Sequence, residues 1–189
     1  MLTPYGYGEL EDQLITLFLS GPPDFEAAQA LVDAGADLNA RGADPEENML
    51  SLILDPYWWE GPEEVCGGCE HRGGCASGWH CRGKNPGPGW AMLQIIRFFL
   101  DNEFDVTARG GQQGAECLLA LTRSAFDRSV LTATRMLLDA GARDLGVPPG
   151  TGETALEEAA FKRGEATDPY HRELFGALCE LYLAEQQGD

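Results

Sequence analysis

Four of the six cysteines in this chain lie close together, in the pattern CxxC-x5-C-x5-C. A structural Zn²⁺ site needs four thiolate or imidazole ligands that converge on one point, with each sulfur about 2.3 Å from the metal. Glycines between these cysteines allow the tight turns that would direct the side chains inward. The pattern therefore predicts one structural zinc ion. Its predicted ligands are Cys66, Cys69, Cys75 and Cys81, with His80 and His71 as alternates.

Other chemistries of this cysteine cluster stay open. Disulfides would form if the protein were exported, because cytoplasmic thiols are kept reduced. A redox CxxC belongs on a βαβ unit, which is not visible in this sequence, and an iron–sulfur cluster is a further alternative. A catalytic zinc would need an open coordination position and a carboxylate base. Glu70 lies within the cluster, but the zinc-deaminase pattern is absent. The competing class of function is therefore an enzyme that uses this loop as a zinc or thiol redox centre.

The cluster lies in a segment whose composition differs from the rest of the chain. Residues 56–90 are rich in Gly and Pro and lack an apolar period of 3.6 residues. Metal binding would supply the folding free energy that such a segment cannot gain from an apolar core. We interpret 56–90 as an insertion between two helices. All four tryptophans lie in or beside it, either packing the loop onto the helices or exposed as anchors for a partner.

The rest of the chain has apolar residues at helical spacing, which predicts an all-α fold. Asp24, Thr154 and Asp168 are predicted N-caps, and Pro169 suits the first position of a helix. The predicted helices are residues 8–19, 24–34, 45–54, 91–101, 114–124, 129–140, 153–163 and 169–186.

Helical periodicity also predicts which side chains are buried. Cys117 and Cys179 fall on apolar faces and are expected to act as small buried hydrophobic residues. In the last helix the predicted apolar face is Leu174, Phe175, Leu178, Leu181 and Tyr182, and the predicted polar face includes Glu173, Glu180 and Glu185.

Three segments of the chain are similar to one another, at residues 30–42, 98–110 and 135–146. In each, an apolar helix end is followed by a short polar turn. Gly35 and Gly141 supply the left-handed residue that such helix ends need. Glu103 stands at that position in the middle segment, so we expect its cap to be strained or built differently.

Some of these residues resemble a known repeat. Residues 34–40 (AGADLNA) are similar to the helix end and turn of the ankyrin repeat, and 139–142 (DAGA) match its first half. Residues 152–160 resemble the T-P-L-H-x-A start of an ankyrin first helix. Ala155 replaces the family proline and Glu157 the family histidine. The missing histidine is expected to remove a hydrogen bond between turn and helix.

The resemblance implies a helical-repeat solenoid of about four repeats, with residues 1–189 as one domain and the insertion inside the second repeat. In such an array, short helices and turn tips form a concave surface that binds another protein. The predicted contact residues are Arg41, Asp44, Arg109, Gln112 and Gln113 in the turns, and Trp58 and Trp59 in the insertion.

A search of the sequence for motifs typical of enzymes gives no support to a catalytic function. The sequence has no phosphate-binding loop, HExxH, GxSxG or kinase motif. Glu157 and Glu158 would point about 100° apart on a helix, so we expect them to be solvated rather than paired as acid and base. His171 has no evident partner. We therefore expect a non-enzymatic binding protein with no small-molecule substrate.

Charge limits the class of partner. The chain has 31 acidic residues against 13 Lys and Arg, a formal charge of −18. Nucleic acids and anionic membranes are bound by clustered positive charge, so both are excluded as partners. Outside 56–90 there are 27 acidic and 10 basic residues, so the acidity belongs to the helical part. A basic protein partner fits this balance, and solubility alone is the other reading. An inhibitor or immunity protein, a scaffold and an adaptor all agree with it.

The sequence also bears on the compartment. No apolar run reaches the 18 or so residues of a membrane span. The first residues show no basic region followed by an apolar one, which a secretory signal requires. We therefore expect a cytoplasmic protein.

Overall fold

The structure is a computed structural model. It describes residues 5–20, 23–40, 42, 48–54, 88–107, 114–125, 127–144, 146–147 and 151–187. Within these ranges all regular secondary structure is helical, so the all-α prediction is confirmed. No helix in the same ranges is long and apolar enough to cross a membrane.

The described ranges contain eight helices. They are α1 Glu9–Leu19, α2 Phe25–Asp33, α3 Met49–Leu54, α4 Pro88–Asp101, α5 Ala115–Arg123, α6 Ser129–Asp139, α7 Ala155–Glu165 and α8 Pro169–Gln186. Most bounds fall within two residues of those predicted from the sequence. The largest difference is at α3, which begins at Met49 rather than at residue 45. The helix α4 begins at Pro88 rather than at residue 91, so residues 88–90, at the edge of the predicted insertion, are helical.

Side chains predicted to cap three of the helices do so. At α2, Asp24 Oδ1 accepts a hydrogen bond from Ala27 N at 3.0 Å. At α8, Asp168 accepts from His171 N at 3.0 Å and Pro169 is the first helical residue. At α7 the cap is Thr154. Each carboxylate or hydroxyl satisfies an N–H group that has no partner within its helix.

The helices pack in two layers. The odd-numbered helices form one row, in which α1 contacts α3, α3 contacts α5 and α5 contacts α7. In the other row α4 contacts α6 and α6 contacts α8. The helix α2 joins this second row through Phe25, whose ring centroid lies 5.9 Å from that of Phe98 in α4. Each odd helix also packs against the even helix that follows it.

The core lies between the two layers. The helix α3, with the sequence MLSLIL, is buried on all sides. A cluster of aromatic rings links α1, α2 and α4, since the ring of Phe18 lies within 6.0 Å of those of Phe25, Phe98 and Phe99. Apolar burial of this kind supplies most of the free energy that stabilises the helices.

In the last helix, α8, the burial of the side chains can be compared with the predicted apolar and polar faces. Buried residues on its apolar face are Leu174, Phe175, Leu178 and Tyr182 as predicted, while Leu181 is only partly buried. Glu173 and Glu180 are exposed as predicted. The prediction for Glu185 is wrong, because its side chain is only 9% exposed and its Oε1 lies 3.0 Å from Arg143 Nε. Arg143 comes from the turn after α6, a long-range contact that helical periodicity does not reveal.

Candidate functional site

Every predicted metal ligand and contact residue lies outside the described residues. They are Cys66, Cys69, Cys75, Cys81, His71, His80, Arg41, Asp44, Arg109, Gln112, Gln113, Trp58 and Trp59. The zinc site and these contacts therefore stay predictions. Among the residues that the structure describes, no group of three or more His, Cys, Asp or Glu side chains could hold a metal ion.

The two described cysteines are buried, as predicted. Cys117 is fully buried, and its Sγ lies 3.3 Å from Asn48 Nδ2, which donates to it. Cys179 is 8% exposed, and burial raises the pKa of its thiol. A thiol kept neutral in an apolar setting is a poor nucleophile and a poor metal ligand. Both cysteines are part of the buried apolar core.

The helices α2, α4 and α6 end with the same backbone geometry. After each helix a residue has a positive φ: Gly35 (107°), Glu103 (63°) and Gly141 (103°). The next N–H donates to the carbonyl five residues before it, at 3.0 Å from Ala36 to Leu31, 3.0 Å from Phe104 to Phe99 and 2.9 Å from Ala142 to Leu137. This bond is typical of the Schellman helix end.

Glu103 thus adopts the left-handed conformation that glycine occupies in the other two turns. The sequence left two alternatives for this helix end, and the structure agrees with a strained residue, because the hydrogen bond is the same as in the other two turns. A non-glycine residue in this conformation costs about 1 kcal/mol because its Cβ approaches the backbone carbonyl. Glu103 therefore places an exposed carboxylate at this position at a cost in stability.

The three turns lie side by side. Asn39, in the turn after α2, donates through Nδ2 to Glu103 O at 3.2 Å and accepts through Oδ1 from Asp105 N at 2.9 Å. Its side chain therefore bridges the first and second turns. The second and third turns also touch, since a Cβ added to Gly141 would lie 3.0 Å from Thr107 Cγ2.

Exposed carboxylates follow these linked turns, and we call them the acidic row. Asp33, Asp101 and Asp139 are the last residues of α2, α4 and α6. No basic residue lies in the last turn of those helices. The acidic row consists of Asp33, Asp37, Asp101, Glu103, Asp105 and Asp139.

The acidic row is electrostatically unfavourable for folding. The C-terminal end of a helix carries partial negative charge, so a carboxylate there is repelled rather than stabilised. Among the described residues no ion pair includes a member of the row. Hydrogen bonds from the side chain and backbone of Thr107 lower the pKa of the Asp105 carboxyl, so it is ionised at neutral pH. The row is therefore a stripe of negative charge along three adjacent turns, and among the described residues none of its carboxylates forms an ion pair.

The start of helix α7 is held by reciprocal hydrogen bonds. Glu157, which stands where the ankyrin-like pattern has histidine, accepts from Thr154 N at 2.8 Å, and Thr154 Oγ1 accepts from Glu157 N at 3.1 Å. This capping box joins Thr154 to the first turn of the helix without a histidine. Glu158 was predicted to be solvated but is only 8% exposed. It lies 3.5 Å from Lys162 Nζ, which also donates to Arg123 O at the end of α5.

His171 has a partner that sequence analysis missed. Its Nδ1 lies 2.5 Å from Asp168 Oδ2, and the spacing of three residues at a helix start could have indicated the contact. Hydrogen bonds from the backbone and side chain of His171 lower the pKa of Asp168. The pair caps α8.

The chain matches no protein-family model, no curated protein and no solved structure.

Proposed function

We propose that this chain is a non-enzymatic protein-binding module that binds a basic protein through the acidic row. The observation that carries the proposal is the exposed row itself, on three turns linked by the side chain of Asn39 and by the contact of Thr107 with Gly141. An inhibitor or immunity protein acting on a basic partner is the role that we favour, with scaffold and adaptor as related forms of the same activity.

The architecture that we propose is an ankyrin-type array of four helix pairs. Two features of the described residues support it: the separate rows of odd and even helices, and the repeated helix ends after α2, α4 and α6. In such arrays each unit packs on its neighbours and the turns project along one edge. A row of turns offers a partner several equivalent contacts at once.

Energetics support binding as the role of the acidic row. Carboxylates at three helix ends and a glutamate in a left-handed conformation all lower stability. Strain of this kind tends to persist where function requires it. A stripe of one charge attracts an oppositely charged protein over several ångströms and accelerates its encounter. The partner surface that fits is therefore one rich in Lys and Arg.

The zinc site is a separate proposal for the insertion. We propose that Cys66, Cys69, Cys75 and Cys81 bind one structural Zn²⁺, on the strength of their spacing. Metal binding there would order the segment and leave the helical core to its own apolar packing.

The test of the binding proposal uses charge reversal at helix ends. The chain is immobilised, partners are captured from the source cells, and the association rate of the identified partner is measured at low and high salt. The variant Asp101→Lys with Asp139→Lys changes two members of the row. Because lysine is favourable at a helix C-terminus, this variant is expected to fold at least as well as the original. Its association rate is expected to fall about tenfold or more.

The matched control reverses the same number of charges elsewhere. Glu165→Lys with Glu180→Lys changes exposed carboxylates on α7 and α8 and leaves the net charge equal to that of the test variant. Its association rate is expected to fall much less, and high salt should slow the original chain markedly because exposed charges are screened beyond about 8 Å. An acidic partner, a salt-independent rate, or equal effects of the two variants would contradict the proposal.

A further inference from the structure

We draw no further inference here: the strongest candidate, the surface of the last helix pair on which Phe161 of α7 and Leu183 of α8 are exposed, carries nothing because nothing in the structure shows what covers it.

Discussion

At the scale of single residues, Glu103 is a non-glycine residue in a left-handed backbone conformation that favours glycine. Its φ of 63° matches the positive φ of the glycines in the neighbouring turns. The change Glu103→Gly is expected to raise the free energy of unfolding by about 1 kcal/mol, since glycine has no Cβ to crowd the carbonyl. Urea denaturation measures the difference.

The control for that prediction is Gly35→Ala. A Cβ added at Gly35 meets no atom within 4 Å, so this change tests the backbone conformation alone. It is expected to lower the free energy of unfolding by about 1 kcal/mol. If Glu103→Gly were destabilising, or Gly35→Ala neutral, the explanation of Glu103 as a strained residue would be wrong.

Asp144 predicts a dependence of stability on pH. It is 2% exposed, and burial raises the pKa of its carboxyl above the ordinary 3.8, although Ala155 N and Leu156 N each donate to it at 3.0 Å. Between 3.8 and the raised value the folded state binds more protons than the unfolded state. The stability that this proton contributes is therefore complete below pH 3.8 and is lost as pH rises through the folded pKa.

Comparison with Asp144→Asn isolates this effect, because asparagine keeps an acceptor oxygen and does not ionise. The stability of the original chain minus that of the variant is expected to fall as pH rises from about 4 toward neutrality. Chemical denaturation at a series of pH values gives this difference. A difference that is constant with pH, or that rises, is the contrary outcome.

At the scale of elements, the stability of α7 depends on the two reciprocal hydrogen bonds between Thr154 and Glu157 at its N-terminus. The change Thr154→Ala removes the hydroxyl that accepts from Glu157 N, and is expected to cost about 1 kcal/mol. Thermal denaturation followed by circular dichroism measures the loss. The matched control is Thr132→Ala on α6, where the threonine is exposed and alanine is the better helix former. A loss at Thr132 as large as that at Thr154 would show that the cap has no special role.

The helices were predictable because their determinants are local. Apolar spacing placed all eight, and Asp24, Thr154 and Asp168 marked starts that the structure confirms. The left-handed ends at Gly35 and Gly141 were predicted for the same reason.

What could not be predicted depends on contacts between distant residues. Glu158 is buried beside Lys162, whose Nζ also donates to Arg123 O at the end of α5, and the side chain of Glu185 pairs with Arg143 from a different element. The helix α4 begins three residues before its predicted start, and in this added turn Gly89 lies close to the side chains of Asp127 and Ser129, which are distant in the sequence. The acidic row was missed as a site because it requires knowing that three turns are adjacent. The signal available in the sequence was an aspartate at each predicted helix end, since Asp101 follows Asp33 by 68 residues and Asp139 follows Asp101 by 38.

At the scale of the whole molecule, the proposed zinc site and the helical core are expected to behave independently. The purified chain should contain about one zinc per molecule by native mass spectrometry, and Cys69→Ser should abolish it. The midpoint of helix unfolding should change little, because the core described above consists of side chains from the helices and from the turns next to them.

Cys117→Ser is the control for the zinc prediction. Cys117 is buried on α5, so its replacement should leave the zinc content unchanged while lowering stability. A native chain without metal, or a disulfide between cluster cysteines, would contradict the zinc proposal and leave the helical architecture untouched.

The connection between α5 and α6 touches the chain on both sides of the long segment 55–87. Ser124 Oγ donates to Leu54 O at 2.5 Å, and Gly89 packs against Asp127 and Ser129. With both ends held at one place, the entropy of closing a flexible chain between them would grow only with the logarithm of its length, by about 0.6 kcal/mol for each doubling. A change in the length between α3 and α4 is therefore expected to have little effect on stability. In evolution, this is the point at which a module could be acquired, exchanged or lost while the helices around it kept their sequence.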